Sequence, residues 1–122
     1  MHRILVVDDS AAIRKAIRRI VEPLGFAVEE AADGRQALTY CAEWGKADVV
    51  LLDIDMPVMD GLAFLRELRS LPGIPQPAVI MCTAHNGLPC IEEALALGAN
   101  EYIMKPFDTE IISSKFQQLG LM

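Results

Sequence analysis

Apolar residues recur along the chain in two alternating patterns, short continuous runs and longer stretches at helical spacing. The short runs are mostly rich in β-branched residues, which favours β-strands. Five such runs are present: Arg3–Val7, Ala27–Ala31, Asp48–Leu52, Ala78–Thr83 and Glu101–Met104. Most of them are apolar at successive positions and do not alternate with polar residues, which is typical of a parallel sheet covered on both faces.

Between these runs, apolar residues fall three or four positions apart, as one face of an α-helix requires. The residues that mark the five faces are Ile13, Ile17, Ile20, Val21 and Leu24; Ala37, Leu38, Cys41 and Trp44; Leu62, Leu65 and Leu68; Ile91, Ala94 and Leu95; and Ile111, Ile112, Phe116 and Leu119. Helix boundaries are expected at the N-caps Asp33 and Asp60, at the glycines Gly25, Gly98 and Gly120 that follow helices, at Pro23, and at Pro89 in a first turn. Strands alternating with helices predict an α/β fold, a doubly wound five-stranded parallel sheet in the order 2-1-3-4-5 flanked by five helices.

Length, charge and cysteine content narrow the class of protein. A chain of 122 residues has room for one domain, residues 1–122, and its terminal residues favour a complete protein. The net charge of −6 disfavours direct binding to nucleic acid. Because no apolar stretch approaches the ~18 residues of a membrane span, we expect a cytoplasmic protein without membrane insertion. The three cysteines, an odd number without metal-binding spacing, are expected to be reduced and partly buried.

Ionisable side chains follow three of the predicted strands at the point where each strand ends. Asp8 and Asp9 follow the first, Asp53 the third and Lys105 the fifth, while Thr83 ends the fourth. In the expected strand order these positions are neighbours at the carboxyl edge of the sheet, where doubly wound folds bind ligands. Three carboxylates without His or Cys ligands favour a hard cation, and Mg²⁺ suits a small acidic cleft. A flavin phosphate site and glycine-rich nucleotide loops are unsupported.

Several short motifs occur in a set order over the whole chain: Asp8-Asp9 after an apolar strand, Asp53 before Met56-Pro57 and Met59-Asp60-Gly61, then Thr83-Ala84, Gly98-Ala99 and Lys105-Pro106-Phe107. Each motif alone is weak, but the ordered set resembles the receiver domain of bacterial two-component response regulators. The length resembles the single-domain regulators of chemotaxis. The resemblance implies a flavodoxin-like receiver fold.

The resemblance also implies roles for the residues at the strand ends. Asp53 would be the phosphoacceptor, a carboxylate nucleophile beside a metal ion. Asp9 would be the chief Mg²⁺ ligand, with Asp8 acting mainly through water and Asp53 and the main-chain carbonyl of Asp55 completing the set. Either Asp8 or Asp9 could instead cap the first helix. Lys105 would pair with Asp53 at rest and with a phosphoryl oxygen after transfer.

Further roles implied by the resemblance concern the output of the domain. Thr83 would donate a hydrogen bond to the phosphoryl group, and Tyr102 would rotate inward as the second switch residue. The face formed by helix 4, strand 5 and helix 5 would then change. Asp55 and His85 lie where the family tunes dephosphorylation, and a solvated loop position is an alternative for His85. The peptide bond between Lys105 and Pro106 is expected to be cis.

The expected partners are a sensor histidine kinase or a histidine phosphotransfer protein, and an unidentified downstream protein. The domain would be a monomer or a weak dimer and would catalyse only its own phosphorylation and dephosphorylation. Arg14, Lys15, Arg18 and Arg19 could help dock the kinase, or could be a solvated helix face. Two alternatives are a phosphatase of the haloacid dehalogenase type, which Asp53-Ile54-Asp55 superficially fits, and a receiver-like domain that is never phosphorylated.

Overall fold

Five parallel strands form the centre of the protein in a computed structural model that describes residues 2–43, 47–54, 56–74, 76–84 and 90–122. The strands are β1 (Arg3–Val7), β2 (Ala27–Ala31), β3 (Val49–Asp53), β4 (Ala78–Thr83) and β5 (Glu101–Met104). Their order in the sheet is β2-β1-β3-β4-β5, which confirms the predicted doubly wound topology. All four strand pairings are parallel.

The two faces of the sheet are covered by different helices. Successive residues of the central strands point to opposite faces, so Leu5 and Leu52 enter one core cluster while Ile4 and Leu51 enter the other. The helices are α1 (Ala11–Val21), α2 (Gly34–Glu43), α3 (Gly61–Ser70), α4 (Ile91–Ala96) and α5 (Thr109–Gln118). Helices α2, α3 and α4 pack on the first face, and α1 and α5 pack on the second. This double covering explains why the strands are apolar at successive positions.

Side-chain caps fix where the helices begin. Asp33 and Asp60 accept hydrogen bonds from the backbone N–H groups of Gln36 and Ala63, as expected of N-caps. Ser10 caps α1 in the same way and Asp108 caps α5, and the sequence reasoning missed both. Because Ser10 is the cap of α1, the alternative in which Asp8 or Asp9 caps this helix is wrong.

Two predicted boundaries differ from the structure. Strand β3 begins one residue later than expected, at Val49, and it continues to Asp53, which is in register with Cys82 on β4. Asp48, just before it, accepts a 2.6 Å hydrogen bond on its carboxylate from the backbone N–H of Arg3. Leu24 lies outside α1, in a short 3₁₀ turn that contains Pro23 and ends at Gly25, whose φ is 97°.

Other expectations can be placed as follows. Trp44 and Pro89 lie outside the described residues. The three cysteines are unpaired, Cys41 and Cys82 buried and Cys90 partly so, which agrees with the prediction. Within the described segments, no helix is both long enough and apolar enough to cross a lipid bilayer.

Candidate phosphoryl and metal site

Three carboxylates converge at the carboxyl edge of the sheet. Asp8 and Asp9 follow β1, Asp53 ends the neighbouring strand β3, and one oxygen from each carboxylate lies within 4.8 Å of the other two. Asp8 is buried, Asp53 is partly buried and Asp9 is exposed to solvent. The site is therefore open on the Asp9 side, and its oxygen-only donor set fits a hard divalent cation.

Lys105, directly after β5, reaches back over this edge to the carboxylates. Its ammonium nitrogen Nζ lies 2.8 Å from Oδ2 of Asp8 and 3.4 Å from Oδ1 of Asp53. The expected pairing with Asp53 is thus present, but Asp8 is the closer partner. The Lys105–Pro106 peptide bond is cis, as the resemblance implies.

Backbone N–H groups hold the two inner carboxylates in place. Oδ1 of Asp8 accepts a 2.9 Å hydrogen bond from the N–H of Ser10, and Oδ1 of Asp53 accepts one of the same length from the N–H of Ile54. Arg14 donates from Nη1 to the main-chain carbonyl of Asp8 at 2.7 Å. Sequence reasoning did not foresee these supports, although a serine just before an apolar helical pattern was a signal for the first.

The electrostatics of the site show that its negative charge is not fully compensated. Burial raises the pKa of Asp53, and the neighbouring Asp8 carboxylate adds to the increase despite the opposing effect of Lys105. For Lys105, burial disfavours the charged form, but the hydrogen bond to Asp8 and the charge of Asp53 outweigh it and raise the pKa. The ammonium is therefore held charged among three carboxylates.

The two predicted switch residues lie on the strands next to the site. Thr83 ends β4 and is buried, and its hydroxyl donates to the carbonyl of Ala84 at 3.0 Å. Its own carbonyl accepts a 2.8 Å hydrogen bond from the N–H of Lys105. Tyr102, on the edge strand β5, is partly buried against the core. The other two predicted residues, Asp55 and His85, lie outside the described residues.

The basic cluster of α1 is divided between two environments. Arg14 and Arg18 form ion pairs with Glu30 of β2, at 2.9 and 3.0 Å. Lys15 and Arg19 are exposed to solvent. Two of the four cations therefore attach α1 to the sheet, and they are not a solvated face.

Comparison with known proteins decides the family. The family model for the response regulator receiver domain matches residues 4–117. The chain belongs to the response regulator receiver family. The dehalogenase alternative is therefore wrong, and Asp53 ends the third strand of a receiver domain.

Curated relatives of this receiver domain include chains of similar length and a longer regulator. Protein CcdB of Bacillus subtilis is 38% identical over 98% of this chain and 99% of its own. The chemotaxis protein CheY of the same organism is 39% identical over 89% of each chain. The response regulator MprA of Mycolicibacterium vanbaalenii is 40% identical, and the match spans 96% of this chain but only 49% of MprA.

Solved structures agree with the family assignment. The chemotaxis response regulator CheY4 of Vibrio cholerae superposes with a TM-score of 0.87 at 33% identity, covering 98% of both chains. The receiver domain of NtrX from Brucella abortus superposes with a TM-score of 0.84 at 30% identity, covering 94% of this chain and 95% of that one. The receiver fold and its place in two-component signalling are thus confirmed.

Proposed function

We propose that this receiver domain is a binding module switched by phosphorylation. It accepts a phosphoryl group on Asp53 from a histidine kinase or a histidine phosphotransfer protein, with Mg²⁺, and the phosphorylated form changes its affinity for another protein. The convergence of three carboxylates and the Lys105 ammonium at one sheet edge is the observation that supports this function most strongly.

The phosphoryl transfer needs little covalent chemistry from the protein. An oxygen of the Asp53 carboxylate forms a bond to phosphorus while the bond from phosphorus to the donor imidazole nitrogen breaks. The electron pair of that bond leaves with the ring, which ends as neutral imidazole because its other nitrogen already carries a proton or the departing nitrogen takes one from water. Since the acceptor is part of the protein, each chain takes up one phosphoryl group and no second substrate is turned over.

The donor set at the site is suited to Mg²⁺. Asp9 and Asp53 would be direct ligands, with Asp9 the chief one and Asp8 acting mainly through water. The main-chain carbonyl of Asp55 would be a further protein ligand. Mg²⁺ held by these residues would offset carboxylate charge so that an anionic phosphoryl group could approach Asp53. Lys105 supplies a further positive charge, with Nζ 3.4 Å from Oδ1 of Asp53.

The switch uses the hydroxyl of Thr83 and the side chain of Tyr102. Thr83 now donates to the Ala84 carbonyl, so it must exchange that bond for one to the phosphoryl oxygen. The space it leaves would allow Tyr102 to move inward and change the face formed by α4, β5 and α5. A charged hydrogen bond contributes about 1.5–3 kcal/mol, whereas inverting a 1:99 equilibrium needs about 5.5 kcal/mol. We therefore expect a partial shift that partner binding completes.

An apolar groove beside the site would hold the phosphodonor. It has a volume of about 280 Å³ and runs from Lys105 between α1 and the segment after β5, with Ile13, Ile20 and Phe107 among its lining residues. Ile13 is 37% exposed, an open position for an apolar residue. Because the groove is continuous with Lys105, a donor helix in it would bring a phosphohistidine near Asp53. Ile13→Glu should slow transfer from a phosphohistidine donor but not from acetyl phosphate.

The experiment that tests this function is incubation with acetyl phosphate and Mg²⁺, followed by intact mass measurement. We expect one phosphate per chain, absent in Asp53→Asn and absent when EDTA removes the metal. Asp60→Asn is the matched control, because this residue lies in the same loop and asparagine is an equally good N-cap. The control should incorporate phosphate like the unaltered protein.

Two outcomes would contradict the proposal. Incorporation that persists in Asp53→Asn would place the phosphoryl group elsewhere. No incorporation by the unaltered protein, with donor and Mg²⁺ in excess, would favour a receiver-like domain that signals without phosphorylation.

A further inference from the structure

The loop that follows Asp53 is fastened at both ends by glycines that begin helices. Gly61, first residue of α3, donates its N–H to the carbonyl of Ile54 at 2.8 Å, and Gly34, first residue of α2, donates its N–H to the carbonyl of Met59 at 3.0 Å. Both glycines are buried. The loop between β3 and α3 is therefore bound to two helices, of which only α3 is its neighbour in sequence.

Neither glycine has room for a side chain. A Cβ atom on Gly34 would lie 2.5 Å from the carbonyl oxygen of Met59, closer than real Cβ contacts. A Cβ atom on Gly61 would collide with the main-chain carbonyl of Asp53 itself. Both obstacles are backbone atoms, which cannot turn aside as the end of a flexible side chain can.

Between these two attachments the loop contains a strained turn. Val58 has a φ of 68°, and the N–H of Met59 donates to the carbonyl of Pro57 at 2.7 Å, the hydrogen bond of a γ-turn. A positive φ is unfavourable for a β-branched residue, and Val58 is 81% exposed, so its own packing does not offset the strain. Surrounding contacts must hold such a turn, and the attachment of Met59 to Gly34 is one of them.

The same attachments lead to the phosphoacceptor carboxylate. The N–H of Ile54 holds Oδ1 of Asp53 at 2.9 Å, and the carbonyl of Ile54 is held by Gly61. A displacement of the loop would therefore move the donor that orients Asp53. A misplacement of about 1 Å at a reacting group can cost about a hundredfold in rate.

We propose that Gly34 and Gly61 are positioning residues for the phosphoryl site, holding both ends of the loop so that the Asp53 carboxylate faces the metal and the phosphoryl group. This inference rests on the proposed phosphorylation of Asp53. Helix α2, which supplies none of the proposed metal ligands, would thus help to position the Asp53 carboxylate.

The test compares Gly34→Ala with Gly73→Ala in the full chain. Gly73 has a φ of 75° and no heavy atom within 4 Å of its would-be Cβ, so its substitution strains the backbone without touching the loop. At a temperature where both variants are folded, Gly34→Ala should weaken Mg²⁺ binding and slow phosphorylation by acetyl phosphate at least tenfold, while Gly73→Ala changes each less than twofold. The amide resonance of Ile54 should shift only in Gly34→Ala.

Val58→Gly provides a second test that introduces no new contact. It relieves the strained turn and leaves both attachments intact, so Mg²⁺ affinity should change less than twofold. A larger loss would overturn the inference by showing that the turn, and not the glycines, positions Asp53. Equal phosphorylation and an unmoved Ile54 resonance in Gly34→Ala would also overturn it. If the unaltered protein neither binds Mg²⁺ nor takes up phosphate, the proposed function fails instead.

Discussion

Arg69 and Lys105 are partly buried cations near opposite ends of strands β4 and β5, and they are held in contrasting ways. At the amino ends of the strands, Arg69 donates five hydrogen bonds to neutral oxygens of Gln76, Pro77, Gly98 and Asn100, at 2.7–3.1 Å. At the carboxyl ends, Lys105 contacts two carboxylates of a cluster of three. One cation satisfies neutral acceptors, and the other partly compensates an excess of negative charge.

This difference separates a structural cation from a functional one. Arg69 joins the end of α3 to the segments that precede β4 and β5, so its donors are fully used. The carboxylates beside Lys105 outnumber it, and uncompensated like charges are costly unless a further cation binds. We therefore expect substitutions at Arg69 to change stability, and substitutions at Lys105 to change metal binding.

The largest expected effect on stability belongs to Arg69→Met. This change leaves the partly buried main-chain carbonyls of Pro77 and Gly98 without their donors and should reduce the free energy of unfolding by about 2–3 kcal/mol, or about 10 °C in Tm. Urea and thermal unfolding measure it. Mg²⁺ affinity of the folded variant should stay within twofold of the unaltered protein. Weaker Mg²⁺ binding in Arg69→Met would show that the two ends of the sheet are coupled, and Arg69 would then not be a purely structural cation.

A smaller effect of a different kind is expected for Lys105→Met. The ammonium lies 2.8 Å from Oδ2 of Asp8 and would repel a cation held by the same carboxylates, so its removal should tighten Mg²⁺ binding about tenfold, or about 1.4 kcal/mol. Phosphorylation by acetyl phosphate should nevertheless slow, because a phosphoryl oxygen loses its partner. Titration calorimetry measures the affinity. Lys115→Met is the control, since Lys115 pairs with Glu101 away from the site. Weaker Mg²⁺ binding in Lys105→Met would contradict the account.

The smallest effect is a stabilisation by Asp53→Asn. Since burial raises the pKa of Asp53, its ionised form costs stability in the folded state, and the asparagine variant should be more stable by about 1 kcal/mol in EDTA at pH 7. The advantage should fade as the pH falls through the raised pKa, because protonated Asp53 carries no charge either. Urea unfolding from pH 7 down to about pH 4, near the ordinary pKa of an aspartate in an unfolded chain, measures this. With saturating Mg²⁺ the unaltered protein should be more stable than Asp53→Asn. A stability advantage of Asp53→Asn that grows as the pH falls would contradict the raised pKa of Asp53.

Much of the fold could be predicted from the sequence because each strand is a local apolar run. The runs that became β1, β2, β4 and β5 keep their predicted bounds, while β3 shifts by one residue. Asp48, just before β3, is bonded to Arg3, and no local pattern contains a contact between residues so far apart in sequence. The cap Ser10 lies directly before an apolar helical pattern, but the adjacent aspartates Asp8 and Asp9 are equally good cap residues, so residue type alone does not select it.

The residues of the candidate site could be predicted from the sequence, but the contacts between their side chains could not. Parallel strands bring their carboxyl ends to one edge, so Asp8, Asp53 and Lys105 had to meet. Which carboxylate lies closer to the ammonium depends on side-chain geometry, and Asp8 does. Two further contacts join distant segments: Arg69 donates to the carbonyl of Gly98, and Gly34 donates to the carbonyl of Met59. The acceptors are backbone carbonyls, which every residue has, so the sequence gives no sign of them.

The central claim is that the carboxylate cluster is a Mg²⁺-dependent phosphoryl acceptor, and ³¹P NMR of the protein treated with acetyl phosphate tests it most directly. We predict one new protein-bound acyl phosphate resonance, equal to one phosphorus per chain, that requires Mg²⁺ and is absent in Asp53→Asn. A resonance that survives in Asp53→Asn, or a spectrum in which the protein gains no phosphorus while Mg²⁺ and donor are in excess, would contradict the account.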